Sequence, residues 1–143
     1  MRPYLIVMSH GEMAAETVNS AKMIVGEIEN IAVISMLADD GLSGTTEKLT
    51  QVLNELDAEQ QILILADLKG GTPCNVAMMK MAEYPNLQVV TGFNLAMLLE
   101  GVFSPATTAT DLAQQLVGVG KTAVEKIVIP AQSTGDDDDI ELE

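Results

Sequence analysis

Cysteine and histidine are almost missing from this sequence, at one residue each. Cys74 alone forms no internal disulfide, and together with His10 it leaves a structural zinc site short of ligands. Neither a disulfide framework nor a resident metal is expected, and a reducing compartment is implied. Tryptophan is absent, and aromatic residues make up only 3% of the chain, too few to cover a flavin or nucleotide ring well. Basic residues number 7 against 21 acidic ones, for a formal charge of −14. Nucleic acids and anionic membrane surfaces bind clustered Lys and Arg, so both are disfavoured as partners. Long apolar runs are lacking too. The stretch Ile62-Leu63-Ile64-Leu65-Ala66 is far short of the roughly 20 residues a spanning helix needs, and no apolar stretch behind basic residues marks a secretory signal. The expectation is a cytoplasmic protein with no direct membrane insertion and no cofactor.

What is present describes one domain. A chain of 143 residues with 48% apolar content is long enough to bury one substantial core and too short for a second full domain. Residues 136–143 hold six of the acids, and the rest carries 15 acidic and 7 basic residues, a net −8. The domain is expected over 1–131, with 132–143 a solvated, disordered acidic tail. Short apolar, β-branched runs at 4–8, 31–36, 61–66 and 87–91 alternate with segments of helical period at about 12–25, 45–57, 73–83 and 94–103. That alternation predicts βαβ units around a parallel sheet with helices on both faces. Thr72 is expected to cap the third helix, with Pro73 in its first turn. A further helix over about 110–125, weakened by Gly118 and Gly120, leads to a fifth strand, Lys126-Ile127-Val128-Ile129, stopped by Pro130. Such a strand on an exposed edge is a pairing hazard, which a homodimer would cover. The nine methionines, Met78, Met79 and Met81 among them, are expected to fill core gaps that aromatics do not.

His10 ends the first strand. A single histidine there is by itself compatible with a structural role. In an open parallel sheet of order 2-1-3-4, however, the loops after the first and third strands meet where strand order reverses. Asp67 follows the third strand, so the sheet would bring a carboxylate to the imidazole. A carboxylate accepting from one ring nitrogen fixes the tautomer and leaves the other nitrogen nucleophilic. Gly70 and Gly71 permit backbone shapes closed to other residues, and the helix beginning near Pro73 turns unpaired N–H groups toward the same crevice, as a phosphate site does. The helix after Gly11 offers a second set of amides. Taken alone, Gly70-Gly71-Thr72-Pro73 is equally a tight strand-to-helix turn. With His10 and Asp67 it suggests a phosphohistidine site.

Three segments, Ser9-His10-Gly11, Asp67-Leu68-x-Gly70-Gly71-Thr72-Pro73-x-Asn75 and Gly92-Phe93-Asn94-Leu95-Ala96-Met97, resemble the IIA component of the mannose family of the bacterial phosphoenolpyruvate-dependent sugar phosphotransferase system. The resemblance covers about residues 1–130. It implies that His10 accepts a phosphoryl group on Nε2 from the phosphocarrier HPr and passes it to a histidine of a IIB component. It also implies that Asp67 orients His10 through Nδ1, while Thr72 and the backbone of Gly11, Gly70 and Gly71 line the phosphoryl pocket. IIB is expected as a separate polypeptide, coupled to membrane IIC and IID components. The resemblance further implies that the fifth strand runs antiparallel and is exchanged within a homodimer. Ala96 departs from the family pattern, which commonly has proline there. Met13, Phe93, Asn94, Leu95 and Met97 are the candidates for partner contact, with burial an equal alternative for the apolar ones, and acidic groups near the crevice are suited to a basic face on HPr. Lys69 is expected to point into water and Cys74 to be a small, semi-buried side chain.

Other functions compete. A flavin- or nucleotide-binding module would want a Ser/Thr-rich loop after the first strand, and a response-regulator receiver would want acids there and a lysine after the fifth. Neither pattern is present. The phosphotransferase subunit of dihydroxyacetone kinase resembles the same family but usually lacks Gly-Gly-Thr-Pro. A regulatory domain without chemistry would have no need of His10 and Asp67 together.

Overall fold

The computed structural model describes residues 1–131; the expected acidic tail at 132–143 lies outside the described residues. The elements run β1 (Tyr4–His10), α1 (Met13–Val25), β2 (Ile31–Met36), α2 (Gly41–Asn54), β3 (Ile62–Ala66), α3 (Thr72–Met81), β4 (Leu87–Thr91), α4 (Leu95–Phe103) and α5 (Ala109–Ala123). The four strands form one parallel sheet of order β2-β1-β3-β4.

The sequence dictates this layering through the two-residue period of its strands. Leu5, Val7, Leu63 and Leu65 point to one face and pack with Val18, Leu98, Leu112 and Leu116 from α1, α4 and α5. Ile6, Met8, Ile62 and Ile64 point to the other and pack with Leu49, Leu53 and Val76 from α2 and α3. The central strands β1 and β3 are therefore apolar throughout, as a sheet covered on both faces requires. Each fully buried aliphatic side chain here contributes about 1.5–3 kcal/mol of transfer free energy.

Four expectations need correction. Residues 126–129 are in no strand: the chain beyond α5 is exposed, with Ile127 at 84% and Ile129 at 93%. A strand exists only through a pairing partner, and this segment meets neither sheet edge of its own chain. The second helix starts at Gly41 rather than near 45: Gly44 N–H already reaches Asp40 O at 2.8 Å, an approach that the missing Cβ of Gly44 permits, since a Cβ there would lie 3.0 Å from Asp40 Cβ. Gly71, not Thr72, is the N-cap of α3. Met78, Met79 and Met81 are exposed, at 56%, 55% and 38%; the buried residues of α3 are the smaller Pro73, Cys74, Val76 and Ala77. By contrast, α5 tolerates Gly120 for a packing reason, since a Cβ there would lie 2.6 Å from Met97 Sδ.

Candidate functional site

Register alone places the candidate site. Met8 is opposite Ala66, the last pair of β1 with β3, so Asp67 leaves β3 beside Ser9 and His10, which end β1 at the carboxyl edge of the sheet. Asp67 Oδ2 accepts the backbone N–H of His10 at 2.9 Å and contacts its ring Nδ1 at 2.8 Å. One carboxylate oxygen thereby fixes both the main chain and the ring of the same residue. An ionised carboxylate can only accept, so toward it Nδ1 is the donor, and in a neutral ring Nε2 then has the lone pair. The His10 side chain is 45% exposed while that of Asp67 is 9% exposed. The imidazole thus faces solvent on a buried anchor.

The loop after β3 sits under the ring. Gly70 has a left-handed φ of 84°, and its carbonyl accepts from Asn75 Nδ2 at 3.2 Å. Gly71 has an ordinary extended backbone, yet a Cβ there would lie 2.7 Å from His10 Cε1 and 3.4 Å from Nε2. The glycine is required by the ring and not by its own dihedrals. Gly71 caps α3 without a side-chain hydrogen bond, and the amides of Thr72 and Cys74, in the first turn, have no intrahelical acceptor. Their partial positive charge favours an anion.

The second proposed set of amides is differently disposed. Gly11 turns the chain with φ 56° and ties its N–H to Met36 O at 2.8 Å. The amide of Ala14, in the first turn of α1, is already taken by Ser9 Oγ at 2.7 Å. In the sequence, the signal for this role of Ser9 is a small hydroxyl at a strand end just before a helix.

Of the residues expected at a partner surface, Met13 is half exposed, but Phe93 and Met97 are 4% and 2% exposed and belong to the core under α4 and α5. Their motif is a strand-to-helix joint: Phe93 N–H reaches Ala66 O, and Asn94 Oδ1 caps α4 by accepting Met97 N–H at 2.9 Å. Leu95 is half-buried against the same core. The apolar side chains that do face out from this edge are Leu37, Leu42 and Leu68, at 50%, 52% and 59% exposure, and periodicity could not single them out because they lie in or beside loops. Lys69 is exposed and Cys74 buried. Among the described residues, no three His, Cys, Asp or Glu side chains group as a metal site would require, and no helix is long and apolar enough to cross a membrane.

Fold and site together define an open α/β protein that presents one oriented imidazole beside a helix amino end at its topological switch point. The chain belongs to the mannose-type EIIA family of the phosphotransferase system (PTS): the family model described as "PTS system fructose IIA component" matches residues 4–117. Among curated relatives, it is 33% identical over 96 residues to the "PTS system fructose-specific EIIA component" of Bacillus subtilis, covering 67% of this chain and 66% of that protein. It is 30% identical over 96 residues to the "PTS system mannose-specific EIIAB component" of Escherichia coli K12, covering 67% of this chain but only 30% of that longer one. Among solved structures, a mannose/sorbose-specific IIA subunit from Enterococcus faecalis superposes with a TM-score of 0.89 at 53% identity, over 93% of this chain and 100% of the other.

Proposed function

We propose that this chain is a cytoplasmic phosphoryl carrier of a sugar phosphotransferase system. His10 takes a phosphoryl group from phospho-HPr and hands it to a histidine of a IIB component, which works with membrane IIC and IID components in sugar uptake. The observation that carries this reading is the 2.8 Å contact of His10 Nδ1 with Asp67 Oδ2, which leaves Nε2 as the nucleophile beside the amino end of α3.

In the transfer step the Nε2 lone pair forms a bond to phosphorus while the bond from phosphorus to the donor breaks, and the donor keeps that electron pair. The ring then carries substituents on both nitrogens and a positive charge, which the Asp67 carboxylate offsets at Nδ1. The amides of the α3 first turn, with Thr72 Oγ1, hold the phosphoryl oxygens, and Gly70, Gly71 and Gly11 let backbone come close. The reverse displacement delivers the group to IIB. Asp67 orients and neutralises; no metal takes part. Met13, Leu37, Leu42 and Leu68 supply the apolar ground on which partners dock and from which they release.

The protein functions in this reading as a homodimer, in which residues 126–129 of each copy pair with the sheet of the other. The support is the exposed apolar segment Ile127–Ile129 together with a sheet that has two edges, β2 and β4, among the described residues.

Incubation with phosphoenolpyruvate, enzyme I and HPr should add one acid-labile phosphate, and His10→Gln should abolish the mass gain with the circular dichroism spectrum unchanged. Acid-labile labelling of the His10→Gln protein would overturn the assignment.

A further inference from the structure

We infer that Ser9 is a positioning residue for His10. This rests on the carrier role proposed above. The strand holds the backbone before His10 rigidly, but the residue after it is Gly11, in a left-handed conformation with no side chain to restrain it. The ring is 45% exposed and contacts Asp67 through one nitrogen only. A turn of this kind needs a further restraint on its far side. Ser9 supplies it: its hydroxyl donates to Gly11 O at 3.1 Å and accepts from Ala14 N–H at 2.7 Å. Two bonds from one oxygen therefore span the Gly11 turn and join β1 to the first turn of α1.

Burial makes the restraint effective. Ser9 and Ala14 are both 0% exposed, so water does not substitute for the hydroxyl at the Ala14 amide, and its loss leaves that buried N–H unpaired. The relief open to the chain is movement of the turn about Gly11. That movement carries His10 away from Asp67, because the His10 N–H and Nδ1 share a single carboxylate oxygen.

The test uses the fact that His10 is the only histidine, so one pair of ring nitrogen resonances reports its tautomer. In the wild-type protein the nitrogen shifts should show protonated Nδ1 and bare Nε2. In Ser9→Ala the shifts should move toward the average of the two tautomers. Displacing a reacting group by 1 Å can cost about 100-fold, and partial loosening here should lower kcat for transfer from phospho-HPr about tenfold with KM changed less than about twofold. Ser9→Thr, which keeps the hydroxyl, should restore both tautomer and rate. If Ser9→Ala does not fold, Ser9→Cys, with its weaker and longer hydrogen bonds, should show the same two changes in smaller degree. Wild-type shifts and wild-type kcat in a folded Ser9→Ala or Ser9→Cys protein would overturn the inference, as would a fall in rate with the tautomer unmoved. Failure of the wild-type chain to accept phosphate from phospho-HPr would instead remove the carrier role, and the nitrogen shifts would still decide whether Ser9 holds the ring.

Discussion

At the residue scale, the site depends on one side chain that is present and one that is missing. Asp67 holds the His10 ring from one side, and the absent Cβ of Gly71 makes space for it on the other. These two contributions separate experimentally. Gly71 has φ −76° and ψ 168°, which alanine adopts without strain, so Gly71→Ala should fold with a thermal midpoint close to that of the wild type. The new methyl would nevertheless lie 2.7 Å from His10 Cε1, too close for contact, and the half-exposed ring is the part free to move. Phosphoryl transfer should fall on the order of 100-fold, as for a reacting group displaced by about 1 Å, measured as the initial rate of acid-labile labelling. An unchanged rate would show that the ring does not need that space.

At the element scale, the loop between β2 and α2 shows how a strand end is tied down beside the site. Asp40 Oδ2 accepts from Leu37 N–H at 2.7 Å and from Lys48 Nζ at 2.7 Å, and Lys48 also donates to Ser35 O at 2.9 Å. The hydrogen bond from Lys48, followed by that from the Leu37 amide, lowers the Asp40 pKa below its ordinary value. A carboxyl whose pKa is lower folded than unfolded stabilises the fold above its unfolded value, near pH 4, and that contribution is lost as pH falls through the folded value. Asp40→Asn should therefore have a lower thermal midpoint than wild type at pH 7, with the gap narrowing on acidification below about pH 4. Melting curves across that range check the sign, and a gap that widened toward low pH would contradict the assignment. The exposed contact with Lys48 makes the effect small and sensitive to salt.

At the scale of the whole molecule, the segment beyond α5 is the part that a single chain leaves unsatisfied. Val124, Ile127, Val128 and Ile129 are 80%, 84%, 67% and 93% exposed, a contiguous apolar strip of a kind that marks an interaction site. The proposed exchange of this strip predicts a dimer at micromolar concentration by analytical ultracentrifugation. Replacing Ile127 and Ile129 together by Asp should yield a monomer, because paired strands bury no free carboxylates without large cost. His10 should still accept phosphate in that monomer if the site is complete within one chain. A wild-type protein that sediments as a monomer would remove the exchange and leave the His10 chemistry intact.

The class of fold is legible in the sequence, since short, continuously apolar runs such as β1 and β3, alternating with segments of helical period, admit few alternatives to a two-faced parallel sheet. The sequence also placed His10 and Asp67 at strand ends that such a sheet must bring together. It did not distinguish surface from core among loop and helix residues whose burial depends on distant partners. Phe93 and Met97 were expected at a partner surface, and the packing of α4 against α5 buries them. Met78 and Met79 were expected inside, and they face out because smaller residues of α3 close the core. Nor did local pattern separate a glycine needed for its own dihedrals, as Gly11 and Gly70 are, from Gly71, which is needed because an imidazole 61 positions earlier in the chain lies against it. Periodicity is a property of neighbours along the chain, while exposure and close approach are properties of neighbours in space, and only the tertiary structure specifies those.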